Sequence, residues 1–565
     1  MTTETKVIFA KAVEYYQQQQ FKEAIAEFKK ALDIDPKNSQ TLAGLGLSFA
    51  GFGDLHHAIE SMQLACQLSP KDAILQNNLA NLYKEAGNLP KAILHYQQAI
   101  ELDNNYPEAH HNLALIYSAE KKINEALEHY QDALKIAPDY LQAHFNLALL
   151  FLKQNLYKEA KTQFNNVISL NEDHLQAQFY LGLLYLAENN FEKAKFHFKE
   201  VLRLDNEEVD ALTNLGVIAL KEDESQLAVD YFTKALTIDN SHSNARNNLA
   251  ATFIHYDRFE NALMHYDVLL KDEPNNIEYL YNSGVAQMAL GHLAEATLHF
   301  EKILQLAPNH FEALNNLAAI FIRLEDKEKA LSLLSKALKI KPNDATAKHM
   351  FNALSGIASE GKETAEYALN LFNNYALYYD NHMQNELRYS LPEEINKLLQ
   401  ELNIESDRTL DLGCGTGLTG FVLRQRTKYL VGIDISTKML NEAKQKAIYD
   451  ELVESEIVSF LKNDNKIYNL VVAADVLPYL GNLDSLFEAL SSHIAKQGYF
   501  IFNIEISSDE NWHLQNTSRF SHSENYIEML ARKYQFSILT NQNIIARKQN
   551  GQDLKAKLYC LKQSF

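Results

Sequence analysis

From residue 5 to residue 344 the chain repeats itself every 34 residues, ten times over and without an insertion. A period of that length restricts the segment to a linear array of one supersecondary unit, because each unit can bury its apolar face only against its neighbours. A small residue recurs at the eighth position of every unit: Ala12, Gly46, Ala80, Ala114, Ala148, Gly182, Gly216, Ala250, Gly284 and Ala318. Twelve residues later stands an alanine, from Ala24, Ala58 and Ala92 through to Ala330. Most units carry an aromatic in the next turn (Phe28, Tyr96, Tyr130, Phe164, Phe198, Phe232, Tyr266, Phe300). Six close with a proline, at Pro36, Pro70, Pro138, Pro274, Pro308 and Pro342. Small residues let two antiparallel helices approach closely, aromatics fill the space between units, and proline stops the second helix.

This pattern resembles the tetratricopeptide (TPR) repeat, which implies an all-α superhelix with an inner groove over residues 1–355. Residues 345–355, with Ala347, Met350, Phe351 and Leu354 in amphipathic spacing, are expected to cap the array. A second period lies inside the first. The sixth residue of the unit is asparagine in seven cases: Asn78, Asn112, Asn146, Asn214, Asn248, Asn282 and Asn316. Units one, two and six carry Ala10, Gly44 and Tyr180 there. Asparagine is a mediocre helix former with no packing value, and its amide can pair with both groups of a peptide bond. The series resembles the asparagine ladder in the TPR superhelix of O-GlcNAc transferase. That resemblance implies that these seven residues hold an extended protein or peptide by its backbone, with inner-face neighbours such as His111, Phe145 and Tyr281 supplying selectivity. Mere inheritance through repeat duplication is the alternative.

The second half carries different information. Leu410-Asp411-Leu412-Gly413-Cys414-Gly415-Thr416-Gly417 reads as an apolar strand, an acid and a tight glycine turn. Val431-Gly432-Ile433-Asp434-Ile435-Ser436 then reads as a second strand ending in a second acid. This is the layout of a nucleoside-binding βαβ unit, in which the glycines let backbone approach a ligand and Asp434 can accept both hydrogen bonds of a ribose diol. The glycines alone do not separate NAD from S-adenosylmethionine (SAM). Asp411 does, because a carboxylate just before the turn opposes a pyrophosphate and suits a cationic ligand. The two motifs together resemble class I SAM-dependent methyltransferases over residues 363–565, which implies a doubly wound, Rossmann-like α/β domain.

That resemblance assigns the cofactor contacts to Asp411, Gly413, Cys414, Gly415, Gly417, Asp434, Ile435, Glu456, Ile457 and Asp475. The string Phe372-x-x-Tyr375-Ala-x-x-Tyr379-Asp380-x-His382 resembles the lid that precedes the core in TPR-linked methyltransferases, and Tyr375 is the expected cofactor contact within it. Residues 356–362, with Gly356 and Gly361, are expected to form a hinge. Strand four is Leu470–Leu477 and strand five ends at Glu505; two further strands, 535–546 and 554–562, would complete the seven-stranded sheet of the family, the last antiparallel. Methyl transfer is an in-line displacement that depends chiefly on positioning. A base is needed only where the nucleophile arrives protonated, and Asp475, Glu505 and His382, with His522, are the candidates. No metal is expected in this half, since no pair of histidines stands at ligand spacing beside a carboxylate.

Composition limits the rest. A net charge of −20 argues against a nucleic-acid partner, which requires clustered lysine and arginine. Three scattered cysteines give no disulfide framework and fit a reducing compartment. The first residues lack an apolar leader and no run is long enough to span a membrane, so a soluble, cytoplasmic protein is expected. The sequence therefore predicts a SAM-dependent methyltransferase whose TPR groove recruits a polypeptide. A small-molecule methyltransferase using the array as a docking scaffold is the alternative, and an adaptor with an inactive domain is disfavoured by the intact acids and glycines.

Overall fold

The computed structural model describes residues 3–256, 258–355, 362–376, 379–508, 511–515, 517–549 and 552–564. Two compact units divide the chain, Met1–His242 and Ser243–Phe565. The first is an all-helical array running from Thr3–Gln17 to Ser225–Ile238 in consecutive pairs. Every pair turns on a residue in the left-handed region: Gln19, Gly53, Gly87, Lys121, Asn155, Asn189 and Asp223. The same position recurs at Gly291 and Glu325 in the second unit, while its equivalent Asp257 lies outside the described residues. A left-handed turn costs a non-glycine residue about 1–2 kcal/mol, so the array accepts that cost at most of its corners to keep the helix pairs antiparallel.

Between the helices, Tyr96, Tyr130, Phe164, Phe198 and Phe232 are buried. Phe164 stacks on Tyr180 of the following repeat at 5.2 Å between ring centroids. A Cβ placed on Gly216 would lie 2.5 Å from Phe232 Cε1, which is why this position stays small. A polar rung also crosses several pairs, linking residues 19 apart. His95 Nδ1 donates to Gln76 Oε1 at 2.8 Å, His144 Nδ1 to Gln163 Oε1 at 2.7 Å and His197 Nδ1 to Gln178 Oε1 at 2.7 Å.

The second unit begins with three more helix pairs, Ser243–His255 to Lys327–Ile340, followed by Ala345–Ser355 and Lys362–Tyr375. A nine-stranded sheet follows: β1 Ser406–Leu412, β2 Thr427–Asp434, β3 Glu451–Glu454, β4 Tyr468–Ala473, β5 Ile494–Ile506, β6 Trp512–Leu514, β7 Phe520–His522, β8 Phe536–Gln549 and β9 Gln552–Gln563. Strands β3-β2-β1-β4-β5 are parallel, β9 runs antiparallel against β5, and β8 against β9. The two final strands expected from sequence are present. The additional β6–β7 hairpin, joined to β5 through Glu505↔Ser521, was not expected and makes the sheet larger than seven strands.

Alternation along the strands builds a core on each face. Leu410, Leu412, Val471 and Ala473 point into one cluster with Phe500 and Phe502, whereas Leu470, Val472 and Ile501 point into another with Leu398 and Leu423. Helices cover both faces, as a parallel sheet requires. The order of strand addition reverses about β1, with β2 on one side and β4 on the other, so the crevice at their carboxyl ends is where such sheets bind ligands.

Of the expected hinge at 356–362, residues 356–361 lie outside the described residues and Lys362 opens the helix Lys362–Tyr375, but the capping helix before it packs on the sheet domain. His349 is buried: its Nε2 lies 3.0 Å from the Ser518 carbonyl oxygen, its ring stacks on Tyr367 at 4.2 Å, and it meets Phe520 edge-on. Ala353, Leu514 and Phe520 form a small apolar cluster with Trp512. A fragment beginning at Lys362 uncovers these side chains, at roughly 1.5–3 kcal/mol for each large one exposed. We therefore expect a fragment from Ser243 onward to melt clearly above one from Lys362 onward. Equal melting temperatures would show that the last repeats lend the sheet domain no stability.

Candidate active site

Three glycines at the end of β1 adopt left-handed backbone: Gly413, Gly415 and Gly417, with φ of +62°, +55° and +91°. At Gly413 a Cβ would stand 2.6 Å from Val476 Cγ2, so both conformation and space demand glycine there. The turn is tied to β2 by two bonds. Cys414 N donates to the Ile433 carbonyl at 2.8 Å, and Gly415 N donates to Asp434 Oδ2 at 2.9 Å. The other Asp434 oxygen accepts from Ser436 N at 2.8 Å. Each carboxylate oxygen thus keeps a lone pair for a ligand.

Asp411 lies beneath this turn, 1% exposed, and accepts a hydrogen bond from Tyr449 OH at 2.7 Å. Burial is the main reason that its carboxyl is pushed up to about 7, and the nearby Asp434 charge adds to it. Burial likewise raises Asp434 and the Cys414 thiol. Among the described residues no cation is paired with Asp411 or Asp434.

The cleft above the turn holds about 750 Å³ of free space, counting its open mouth. Gly413, Gly415, Asp434, Ile435, Glu456, Ile457 and Asp475 line it. Asp411, Cys414 and Gly417 lie in or under the turn rather than on the cleft wall. Glu456 spends both carboxylate oxygens on capping the helix Ile457–Asn463, accepting from Val458 N at 2.9 Å and Ser459 N at 2.7 Å. The side chain of Tyr375 lies outside the described ones. Its neighbours Phe372 and Tyr379 do line the cleft, with Ala365 and Ala368 from the same stretch. This cover is fastened down: Ser436 Oγ donates to Asn373 Oδ1 at 2.7 Å, and Asp380 accepts from both Thr416 Oγ1 and Lys446 Nζ.

Of the candidate bases, only Asp475 lines the cleft. It sits at the end of β4 with φ of +57°, a strained conformation for a non-glycine residue. Its backbone N donates to Asn503 Oδ1 at 2.7 Å, Arg519 Nη2 donates to Oδ1 at 2.6 Å, and Arg547 Nη1 to Oδ2 at 3.4 Å. Burial alone would raise its pKa, but Arg519 and Arg547 together hold it below the usual carboxylate value. Glu505 shares the same arginine, accepting from Arg519 Nε at 2.6 Å, and Tyr479 OH accepts from Nη1 at 2.7 Å. A carboxylate so neutralised is a poor proton acceptor at neutral pH and a good fixed anion. His522 is fully buried beside the Gly481 carbonyl, its pKa pushed down to about 4 chiefly by burial. His382 begins a π-helical turn, His382–Glu386, and is not on the cleft wall.

Sequence reasoning missed Arg519, Arg547, Tyr449, Tyr479 and Leu480. No motif marks either arginine, which reach the site from a loop and from β8. Tyr479, two residues beyond the strand-four motif, was the one with a positional signal.

The ladder asparagines are half-buried in the repeats, and four already contact their own chain. Asn214 Nδ2 donates to the Asp210 carbonyl at 2.8 Å and Asn316 Nδ2 to Tyr281 OH at 3.4 Å. Asn146 Nδ2 lies 3.0 Å from His111 Nε2, and Asn112 Oδ1 accepts from Lys84 at 3.4 Å.

Comparisons agree with this architecture. A family model described as a methyltransferase domain matches residues 379–541. TPR and tetratricopeptide repeat models match residues 13–51, 80–121, 107–140, 145–195, 186–245 and 287–351. The putative methyltransferase YqeM of Bacillus subtilis is 26% identical over 24% of this chain and 56% of its own length. An 18S rRNA (guanine-N(7))-methyltransferase of Bos taurus is 36% identical over 14% of the chain and 31% of its own. A probable S-adenosylmethionine-dependent methyltransferase of Saccharomyces cerevisiae, CRG1, is 28% identical over 21% and 43%. The chain thus spans between about a third and just over half of these relatives. Among solved structures, YrrB, a TPR protein with an unusual peptide-binding site, is 26% identical over 33% of this chain and 96% of its own, with a TM-score of 0.31. The chain joins TPR repeats to a methyltransferase domain.

Replacing Arg519 by methionine would leave two buried carboxylates without their main counter-charge, a loss of about 3–5 kcal/mol. Asp475 ionises below its unfolded value near 3.9. Its contribution is therefore complete above about pH 4 and is lost as acid protonates it. In Arg519→Met burial prevails and lifts the Asp475 carboxyl above its unfolded value, so the variant should be penalised most at neutral pH and recover part of the difference as pH falls. Thermal melts of both proteins between acid and neutral pH measure this; superimposable curves would remove the pair from the stability account.

Proposed function

We propose that the cleft binds SAM and that the protein transfers its methyl group to a polypeptide held by the TPR array. The observation that carries the cofactor reading is a pair of buried carboxylates, Asp411 and Asp434, around one glycine turn with no cation paired to them among the described residues. An anionic dinucleotide would meet repulsion there, whereas SAM brings an ammonium, a sulfonium and a ribose diol. Asp434 would hold the diol with its remaining lone pairs, Asp411 would favour the cationic end from beneath the turn, and Ile435, Glu456 and Ile457 would border the adenine. Bound there, SAM supplies an electrophilic methyl group. Phe372, Tyr379 and Tyr479 exclude water from the mouth, and Asp475, fixed by Arg519, presents an anion that can orient the acceptor without removing its proton. The net charge of −20 speaks against an RNA acceptor such as the one in the bovine relative's name.

A cation selects the ionised form of Asp411. SAM affinity should therefore be weak in acid, rise as pH passes about 7, and level off above about pH 8. Asp411→Asn should flatten this profile. Asp434→Ala should cost at least about tenfold at every pH, since hydrogen bonds to a charged group contribute about 1.5–3 kcal/mol each. Titration calorimetry from pH 5.5 to 8.5 reads both; a flat wild-type profile would take Asp411 out of the site.

The polypeptide reading rests on the asparagine series. Asn214 and Asn316 donate through Nδ2 within the chain, which leaves their carbonyl oxygens to accept from a peptide N–H. A small-molecule acceptor is the second reading, favoured by the aromatic cover over the cleft. Changing Asn214, Asn248, Asn282 and Asn316 together to alanine separates them. At about 0.5–1.5 kcal/mol per amide contact, protein labelling by tritiated SAM in lysate should collapse while SAM affinity holds. Undiminished protein labelling would retire the ladder, and label in solvent-extractable material would favour the small molecule.

A further inference from the structure

The polar rungs of the first unit have one exception in kind. In the repeats around it a histidine faces an amide: Gln76 with His95, His144 with Gln163, Gln178 with His197. In the fourth repeat both members are imidazoles, and His110 Nδ1 stands 3.0 Å from His129 Nδ1. His110 belongs to the helix Pro107–Ala119 and His129 to its partner Ile123–Ile136. One turn beyond His129, Asp132 brings a carboxylate, and the three ligand atoms all lie within 4.8 Å of one another. Elsewhere the residue three beyond the rung is Gln98, Asn166 or Glu200, and none of these rungs has two histidines.

The geometry is that of a metal chelate. Two nitrogens on a tetrahedral ion, each at the roughly 2.0–2.1 Å of a Zn–N bond, stand about 3.3 Å apart. The two Nδ1 atoms are near that separation already, and the rings are held. His110 is buried, and His129 stacks on Tyr117 at 5.6 Å. The other ring nitrogen of His110 is buried without a partner, so its one polar contact points at His129. Asp132 Oδ1 also takes Lys135 Nζ at 2.8 Å on the exposed side, an ion pair that a metal would share or replace. A second grouping, His56, His57 and Glu60, is exposed throughout and lacks this preorganisation.

We infer that His110, His129 and Asp132 form a binding site for a divalent transition metal of the zinc type, which clamps the two helices of the fourth repeat together. Three protein ligands leave one position for water, so the site is an accessible clamp rather than a closed four-ligand centre.

The sequence supplies its own conservative variants. His129→Gln recreates the His144–Gln163 rung of the neighbouring repeat, and Asp132→Asn leaves the rung untouched while removing the charge. The full chain, with His56 and His57 both changed to glutamine to silence the exposed grouping, is stripped with chelator and titrated with Zn²⁺. One saturable equivalent and a rise in melting temperature are expected, and Co²⁺ in its place should give the visible absorption of a low-coordinate nitrogen and oxygen site. Loss of a direct ligand should weaken binding by more than the roughly tenfold to hundredfold that an outer-shell partner is worth. Both variants should show that loss, while their metal-free melts match the parent. No saturable equivalent in the parent, or binding by His129→Gln as tight as the parent's, would overturn the assignment.

Discussion

The peptide N–H of Gly415 reaches 2.9 Å across the top of the sheet to Asp434 Oδ2, and the shape of the cleft follows from that bond. It holds the turn after β1 against the end of β2, so that a backbone with three left-handed glycines presents its concave side to solvent. It also brings Asp434 close enough to Asp411 for its charge to add to the burial that opposes ionisation of Asp411. The ligand-free domain carries the consequence. A carboxyl whose folded pKa is raised to about 7 binds a proton that the unfolded chain has released, so stability declines as pH climbs from about 4 to about 7. A fold selected for stability alone would place a neutral side chain there. Two buried acids with hydrogen-bond donors but no paired cation among the described residues are what the proposed cationic ligand would complete.

In the repeats the equivalent constraint is the corner. A left-handed residue at each described corner fixes the angle at which the helix returns, and this decides which side chains meet across the pair. The alanines and the buried aromatics provide the apolar part of that meeting, and they vary little. The rungs provide the polar part, and they vary freely among Gln–His, His–Gln and His–His because any donor–acceptor pair satisfies the buried positions. Freedom of this kind lets a repeat acquire a second chemistry without disturbing its neighbours.

Legibility in the sequence followed the range of the interactions. The repeat, the glycine turn and the strand-end acids are local patterns, in which period and spacing state the geometry. Asp475 and Glu505 were legible as strand-end carboxylates but not as partners of one arginine. Arg519 lies 44 residues from the first and 14 from the second in sequence, and no period connects them. The β6–β7 hairpin escaped notice because strands of three residues carry no alternation to detect. The hinge inferred before Lys362 rested on two glycines. Composition there could not reveal that His349, thirteen residues upstream of Lys362, is buried against the Ser518 carbonyl, a contact 169 residues distant in sequence.

That last contact joins the two kinds of structure in the second unit. Ser518, Arg519 and Phe520 are consecutive, and each is held by something different. The Ser518 carbonyl lies against His349 of the capping helix, Arg519 is gripped by Asp475, Glu505 and Tyr479, and Phe520 packs with Ala353 and Leu514. Ser518 itself is left-handed at φ +62°, as Asp475 is at +57°. Strained conformations of this sort persist only where the surroundings over-determine them. Here the capping helix of the repeats supplies part of that determination, and the arginine ion pairs supply the rest. The wall of the cleft is therefore set in part by a helix that, judged by sequence period alone, belongs to the array.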